Sequence, residues 1–452
     1  MSSKPNIILI NCDDLGYGDL GCYGSQVNKT PVLDKMAEDG IRFTSFYMAS
    51  PVCSPSRGAM MTGCYPPRIG FGSFDGSWVL FPGQRVGLNP KEKTIASVLK
   101  EAGYSTMLIG KWHCGDQKEF LPTRHGFDHY YGLPYSNDMG RQVGWKDQFP
   151  PLPLMLDEEV IQEQPDQASL TERYVEQAVR FIRKNKNSPF FLYFAHMHVH
   201  LPLYAPGRFM KQSQNGAYGA AVECVDWAAG VILDELKRQG LDENTLVVFT
   251  SDNGSRGDHG GSNGPLRGQK GTTWEGGQRV PCIMYWPGKI KGGIVSDEIV
   301  SSMDFYPTFA RLGQGEIPND RIIDGLDLSS LLFEGGVSPR NTFFYYLCNN
   351  LEAVREGRWK LHVRKGKDEV KYLFDLEQDV GEAVNLYDKH PEIVERLQVL
   401  LEECRNDLGD ASSGVQGKNI RPIGRVDEAD SLTHYNPDHP YIIAMYDLPD
   451  RG

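Results

Sequence analysis

The chain has 452 residues, 40% hydrophobic and 23% charged, an ordinary globular composition with length for a large buried core and up to about three domains. Its 47 Lys and Arg against 59 Asp and Glu leave a formal charge of -12; this excludes a typical nucleic-acid binder, whose phosphate contacts need excess cations, and confines any anionic substrate to a locally basic pocket. Nine cysteines without a CxxC pair exclude zinc-ribbon and thioredoxin readings, and no apolar run approaches the roughly 18 residues of a membrane span.

In chain order, "MSSKPN" leads straight into the apolar "IILIN" without the layout of a leader peptide. Two compartments stay open: cytoplasmic, or periplasmic or secreted for a chain trimmed of its signal. "NIILIN" (6–11) predicts a fully buried strand, and "PVLDKMAEDG" (31–40) a helix with Pro at its start and Gly closing it. A second helix is expected at 94–103, a strand at 105–110, a helix at 171–184 and a strand at 189–195. The longest helix falls within 218–239 and leads to the strand "TLVVFTS" (245–251). This alternation is the signature of an α/β sheet flanked by helices. From about Arg340 the texture changes to short antiparallel strands, a helix over 391–408 and a Gly- and Pro-punctuated tail expected to wrap the surface. We therefore divide the chain into an α/β domain, 1–339, and a smaller C-terminal α+β subdomain, 340–452.

Ligands of open α/β sheets bind beyond the carboxyl ends of the strands. After "IILIN" come Asp13 and Asp14; after "STMLIG", Lys111 and His113; after "FFLYFA", His196, His198 and His200; after "LVVFT", Asp252 and Asn253. Four strands thus deliver titratable or metal-ligating groups to one edge. A single Asp pair after a strand reads as a cap or turn, but two such sites at one edge read as a metal centre. The ligands are oxygens only, which suits Ca²⁺ or Mg²⁺ rather than zinc. Arg57, Lys111, His113 and Lys270 would then form a cationic wall opposite the metal, suited to a tetrahedral oxyanion. Taken alone, Lys270 reads as a solvated loop lysine. Of the three histidines, one functional and two structural is the reading adopted here.

Cys53 sits in "SPVCSPSRGAMMTG" (50–63), between Pro51 and Pro55 at the start of a small-residue helix. A group there feels the positive end of the helix dipole, and Arg57 lies one turn on. A buried structural cysteine, a thiolate nucleophile with a histidine base, and a precursor of another group all remain open.

"CSPSR" resembles the signature C-[STA]-P-x-R of type I sulfatases, whose cysteine a maturation enzyme oxidises to formylglycine. Four further segments resemble the family in order: "NIILINCDDLGYGDLGCYG", "LIGKWHCG", "FFLYFAHMHVHLP" and "FTSDNG", and a fifth, "PLRGQKGTTWEGGQRVP", resembles its lysine loop. The nearest likeness is to the arylsulfatase A and N-acetylgalactosamine-6-sulfatase branch. The resemblance implies an alkaline-phosphatase-like fold with a large mixed central sheet. It implies that Cys53 becomes formylglycine, whose hydrate attacks sulfur with one hydroxyl and expels sulfate through the other. Asp13, Asp14, Asp252 and Asn253 would hold one calcium ion together with the modified Cys53. Arg57 and Lys111 would stabilise the hydrate and the sulfate charge, and His113 would assist release. His200, chosen for its "HLP" context, and Lys270 would face the sulfate and its leaving oxygen.

The implied substrate is a sulfated carbohydrate. Loops 70–87, 135–149 and 255–264 are the expected specificity elements, with Trp78 and Trp145 either as stacking faces or as packing residues. Two rivals remain: a phosphodiesterase or phosphonate monoester hydrolase of the same superfamily, and a glycan-binding module with a dead site. The ligands found suffice for only one ion, which speaks against phosphoryl transfer, and no implied catalytic position is missing.

Overall fold

In the computed structural model, which describes residues 4–142, 149–441, 448 and 450–452, a ten-stranded mixed sheet forms the centre. Across it lie Ile294–Ser296, Ile41–Phe43, Cys282–Tyr285, Thr245–Ser251, Asn6–Cys12, Phe190–Ala195, Ser105–Gly110, His129–Gly132, Pro153–Leu156 and Glu159–Glu163. The middle strands, from Thr245–Ser251 to His129–Gly132, pair in parallel. Antiparallel neighbours flank them on both sides.

The first strand shows why its sequence reads as an unbroken apolar run. Side chains alternate across a strand, so Ile7 and Leu9 enter one core with Met60, Met61, Val98 and Leu99. Ile8 and Ile10 enter the other with Leu170, Tyr174, Val222 and Val225. Both faces are covered by helices, so neither can be polar. Helix Gln167–Lys184 begins four residues before the expected 171, because the Asp166 side chain caps it by accepting from the Ala168 N–H at 2.9 Å. The edge strands escaped the sequence reading because they are only three to five residues long. All nine cysteines are unpaired.

Gly216–Gln239 is long and apolar enough, averaged over a window, to cross a membrane, although it contains no unbroken apolar run. Its apolar side chains are spent on the core: 67% of that window is buried, and Val222, Val225 and Ile232 pack beneath the sheet.

Strands Thr342–Leu347, Asn350–Glu356, Trp359–Lys365 and Asp368–Asp375 form a separate antiparallel meander. Helix Pro391–Leu408 covers it through Leu397 and Leu401. Tyr47, Ala59 and Tyr65 belong to the same core, so the meander packs directly against the segments that flank Cys53. The tail is partly tied down: Gly424–Arg425 pairs with Val86–Gly87.

Leu192 lies in the centre of the sheet with no exposure, whereas Val399 is 54% exposed. Leu192→Ala should cost about 2–5 kcal/mol in urea unfolding, and Val399→Ala less than about 0.5 kcal/mol.

Candidate active site

Register brings the reacting groups together. Cys12 lies opposite Ser251, Asn11 opposite Ala195, and Ala195 opposite Gly110. The residues that follow these strands therefore leave the sheet at one level. Backbone bonds from Asp252 N–H to the Cys12 carbonyl (3.0 Å), Lys111 N–H to the Ala195 carbonyl (2.8 Å) and Asp13 N–H to the His198 carbonyl (2.9 Å) hold that edge. Gly110 has φ 106°, and a Cβ there would meet the Ala195 carbonyl oxygen at 1.7 Å, so only glycine lets the chain turn toward Lys111. Asp14 (φ 61°) and His113 (φ 60°) also occupy the left-handed region, a strain of about 1 kcal/mol or more each, which the surrounding structure holds in place.

The cations do not stand opposite the carboxylates as a separate wall; each is paired with one. Lys111 Nζ lies 2.5 Å from Asp13 Oδ2, Lys270 Nζ 2.9 Å from Asp14 Oδ2, and Arg57 Nε 2.8 Å from Asp252 Oδ2. Lys270 is no solvated loop lysine: its side chain is only 11% exposed. Arg57 also donates through Nη1 to the Lys111 carbonyl at 2.8 Å. Its buried Nη2 has no hydrogen-bond partner among the described residues and lies 3.9 Å from Asp13 Oδ1. Cys53, first residue of the wholly buried helix Cys53–Thr62, points Sγ to within 3.4 Å of Asp13 Oδ1.

Burial, reinforced by the Asp13 charge, pushes the Cys53 thiol well above its ordinary value despite Lys111 and Lys270. The residue is thus a neutral thiol, not a thiolate nucleophile. Burial opposes the ionisation of Asp13, yet Lys111, with Arg57 and Lys270, holds its carboxyl well below the usual range. Asp252 moves the other way, up to about 7, through burial and the Asp13 charge, against the pull of Arg57. His113 is held well below its ordinary value by burial and by Lys111. Its Nε2 lies 2.9 Å from the Leu80 carbonyl, which can only accept, so Nε2 carries the proton and Nδ1, which has no hydrogen-bond partner among the described residues, is a bare acceptor. The same logic places the proton of His200 on Nδ1, 2.6 Å from the Leu201 carbonyl, and leaves Nε2 turned to Asp14 Oδ2 at 3.8 Å. Burial and Lys270 lower His200 as well.

Asp13, Asp14, Cys53 and His200 offer ligand atoms within 4.8 Å of one another. Asp252 and Asn253 adjoin them: Asp252 Oδ1 accepts from the Asp14 N–H at 3.2 Å, and Asn253 Nδ2 donates to Asp14 Oδ1 at 2.7 Å. The Asn253 Oδ1 is buried and has no hydrogen-bond partner among the described residues. Three carboxylates and an orphaned amide oxygen fit a hard divalent cation, which would also relieve the mutual repulsion of Asp13 and Asp252.

The site opens through a cavity of about 320 Å³ lined by Cys53, Trp78, His113, Asp138, His200 and Arg256, among others. A cavity of about 740 Å³ beside helix Gly216–Gln239 and one of about 1060 Å³ between the meander and helix Pro391–Leu408 hold none of these groups. A match to the sulfatase family spans residues 5–315. The chain belongs to the sulfatase family. A second match, to "N-sulphoglucosamine sulphohydrolase, C-terminal", spans residues 269–407. The sulfatase is 40% identical to arylsulfatase A of Bos taurus over 445 residues, covering 88% of this chain and 87% of the relative. It is 41% identical to N-acetylgalactosamine-6-sulfatase of Rattus norvegicus over 374 residues, covering 79% and 71%. Among solved structures, the complex of Ps i-CgsB with k-i-k-neocarrahexaose superposes with a TM-score of 0.80 at 31% identity, covering 89% of this chain and 92% of that one.

All ten residues singled out from the sequence of this sulfatase thus meet at one edge. His196 and His198 contribute no ligand atom to the cluster of Asp13, Asp14, Cys53 and His200. His196 packs edge-on against Phe194, ring centres 4.6 Å apart, with neither nitrogen hydrogen-bonded among the described residues. Ser136 escaped the sequence reading. Its Oγ accepts from Lys111 Nζ at 3.1 Å and lies 3.4 Å from His200. The only available signal was its place a few residues beyond the strand His129–Gly132. Trp78 lines the cavity at 51% exposure; Trp145 lies outside the described residues.

Burial pushes His125 and His196 down to about 3 and His198 to about 4. The unfolded chain takes up these protons near pH 6.5 while the folded sulfatase refuses them, so stability is full above that pH and falls as pH drops toward 3–4. His196→Phe should make the pH dependence of urea unfolding between pH 6 and 4 shallower by about 1.4 kcal/mol per pH unit.

Proposed function

We propose that this sulfatase hydrolyses sulfate esters of carbohydrates, using Cys53 matured to formylglycine beside a single calcium ion. The observation that carries this is the neutral Cys53 thiol set among three carboxylates and three cations. Asp13, Asp14 and Asp252 balance Arg57, Lys111 and Lys270, so a bound divalent ion would leave the site with two excess positive charges, suited to a sulfate ester anion. The ion, held by Asp13, Asp14, Asp252, Asn253 and the matured residue 53, would act as a Lewis acid and orient the sulfate oxygens. The matured side chain would supply the oxygen nucleophile that a protonated thiol does not.

The chain's own groups then divide the work. The unpartnered Arg57 Nη2 and the Lys111 ammonium face the charge that develops on oxygen. His113 is neutral with a bare Nδ1 and moves a proton at position 53. His200 Nε2 and the Lys270 ammonium stand at the leaving oxygen. The catalytic unit is residues 1–339, and 340–452 forms the C-terminal subdomain. Cys53 is only 1% exposed, so the maturation enzyme must act before the chain closes over it.

Two things support a carbohydrate. The relatives include an N-acetylgalactosamine-6-sulfatase, and a structural neighbour is seen with a neocarrahexaose. The cavity of about 320 Å³ is lined by the half-exposed Trp78, a candidate stacking face for a sugar ring.

Purified protein should turn over an aryl sulfate faster than the matching aryl phosphate; the reverse order would favour the phosphodiesterase or phosphonate monoester hydrolase alternative. Chelation should abolish the activity and calcium restore it. Cys53→Ala should lower kcat by about 10⁴-fold or more. The mass of the Cys53 peptide from the native host should show an aldehyde in place of the thiol; an intact thiol there would support a dead glycan-binding site. A panel of sulfated sugars and steryl sulfates should be cleaved on the sugar side first.

A further inference from the structure

A second buried ionic cluster joins the lysine loop to the C-terminal meander. Lys360, on strand Trp359–Lys365, has no exposure, and its ammonium has three oxygen partners: it donates to the Thr273 carbonyl at 2.9 Å and to Glu275 Oε1 at 2.8 Å, and forms an ion pair with Glu382 Oε1 at 2.9 Å. Thr273 is gripped a second time, donating through Oγ1 to Glu352 Oε2 at 2.5 Å and accepting from Lys365 Nζ at 2.7 Å. Every one of these partners outside the loop comes from residues 352–382.

An apolar contact could hold two layers together as well as buried ions do. What ions add is direction: an ammonium with three fixed oxygen partners sets the position of the chain that supplies them. Here two of the partners, Thr273 and Glu275, lie within five residues of Lys270. Upstream, the Lys270 N–H donates to the Ser255 carbonyl at 3.1 Å and the Gly271 N–H to the Pro51 carbonyl at 2.9 Å. Glu275 Oε2 also accepts from the Tyr47 hydroxyl at 2.5 Å, on the segment that leads to Cys53. The loop is thus fixed at both ends, and its Lys270 ammonium reaches Asp14 at 2.9 Å.

We propose that Lys360 and Thr273 are positioning residues of the reaction: through the 273–275 stretch, the C-terminal meander sets the place of the Lys270 ammonium at the leaving oxygen. This rests on the role proposed above for Lys270. Misplacing a reacting group by about 1 Å can cost about 10²-fold in rate, so the effect should appear in kcat.

The test is a set of double-mutant cycles on an aryl sulfate, with rates normalised to the aldehyde content of each preparation. Lys270→Ala should lower kcat about 10²-fold or more. Lys360→Met should lower it about 10- to 100-fold and Thr273→Val about 3- to 10-fold, with KM moving less than about twofold. In the Lys270→Ala background, both changes should alter kcat by less than about twofold, because their effect passes through the group already removed. A merely structural role would make the effects multiply, and that result, or folded single variants with wild-type kcat, would overturn the proposal. Thr273→Val removes only a hydroxyl and decides the matter if Lys360→Met fails to fold. Wild-type kcat in Lys270→Ala would refute the role of Lys270 itself. Independent effects on top of an impaired Lys270→Ala would refute the coupling alone.

Discussion

Three carboxylates and three cations share one water-poor edge of the sheet, and everything else in the site depends on their pairing. Asp13, Asp252, Arg57 and Lys111 have no side-chain exposure. A lone charge at that depth would cost several kcal/mol, and removing one partner would strand the other. The network can exist only because the ends of the parallel strands are level, which is a property of register rather than of any single residue. Its three carboxylates and three cations balance one another, so the edge is close to neutral as built.

The same low dielectric sorts the nucleophilic and basic groups. A thiol at position 53 is held protonated, so it is poorly suited to act as a thiolate nucleophile. The imidazoles of His113 and His200 are held neutral by the same burial, and their backbone carbonyl partners fix which nitrogen carries the proton. The tautomers are thus set by the backbone before any substrate arrives.

Much of this was legible in the sequence because it is local. A strand buried on both faces reads as an apolar run, and the residues after it declare themselves, as Asp13–Asp14, Lys111–His113 and Asp252–Asn253 do. The lysine loop and "CSPSR" were legible as a resemblance. What the sequence hid is what only the fold brings together. That Lys270 meets Asp14, 256 positions away, cannot be read from "RGQKGTTW", which looks like an exposed turn. Ser136 stands in a loop with no periodic signal. The histidine run gave three candidates, and only the fold shows that His200 is the one grouped with Asp13, Asp14 and Cys53. The edge strands are too short to show a pattern, and the grip of Lys360 on Thr273 spans 87 positions.

If the paired charges at this edge form a cation site built for a sulfate ester, a crystal structure of the protein soaked with calcium and inorganic sulfate will show it. One ion should be bound by oxygens of Asp13, Asp14, Asp252 and Asn253, with the sulfate between it and Lys111, His200 and Lys270. An ion ligated elsewhere, or a sulfate bound away from residue 53, would contradict the account.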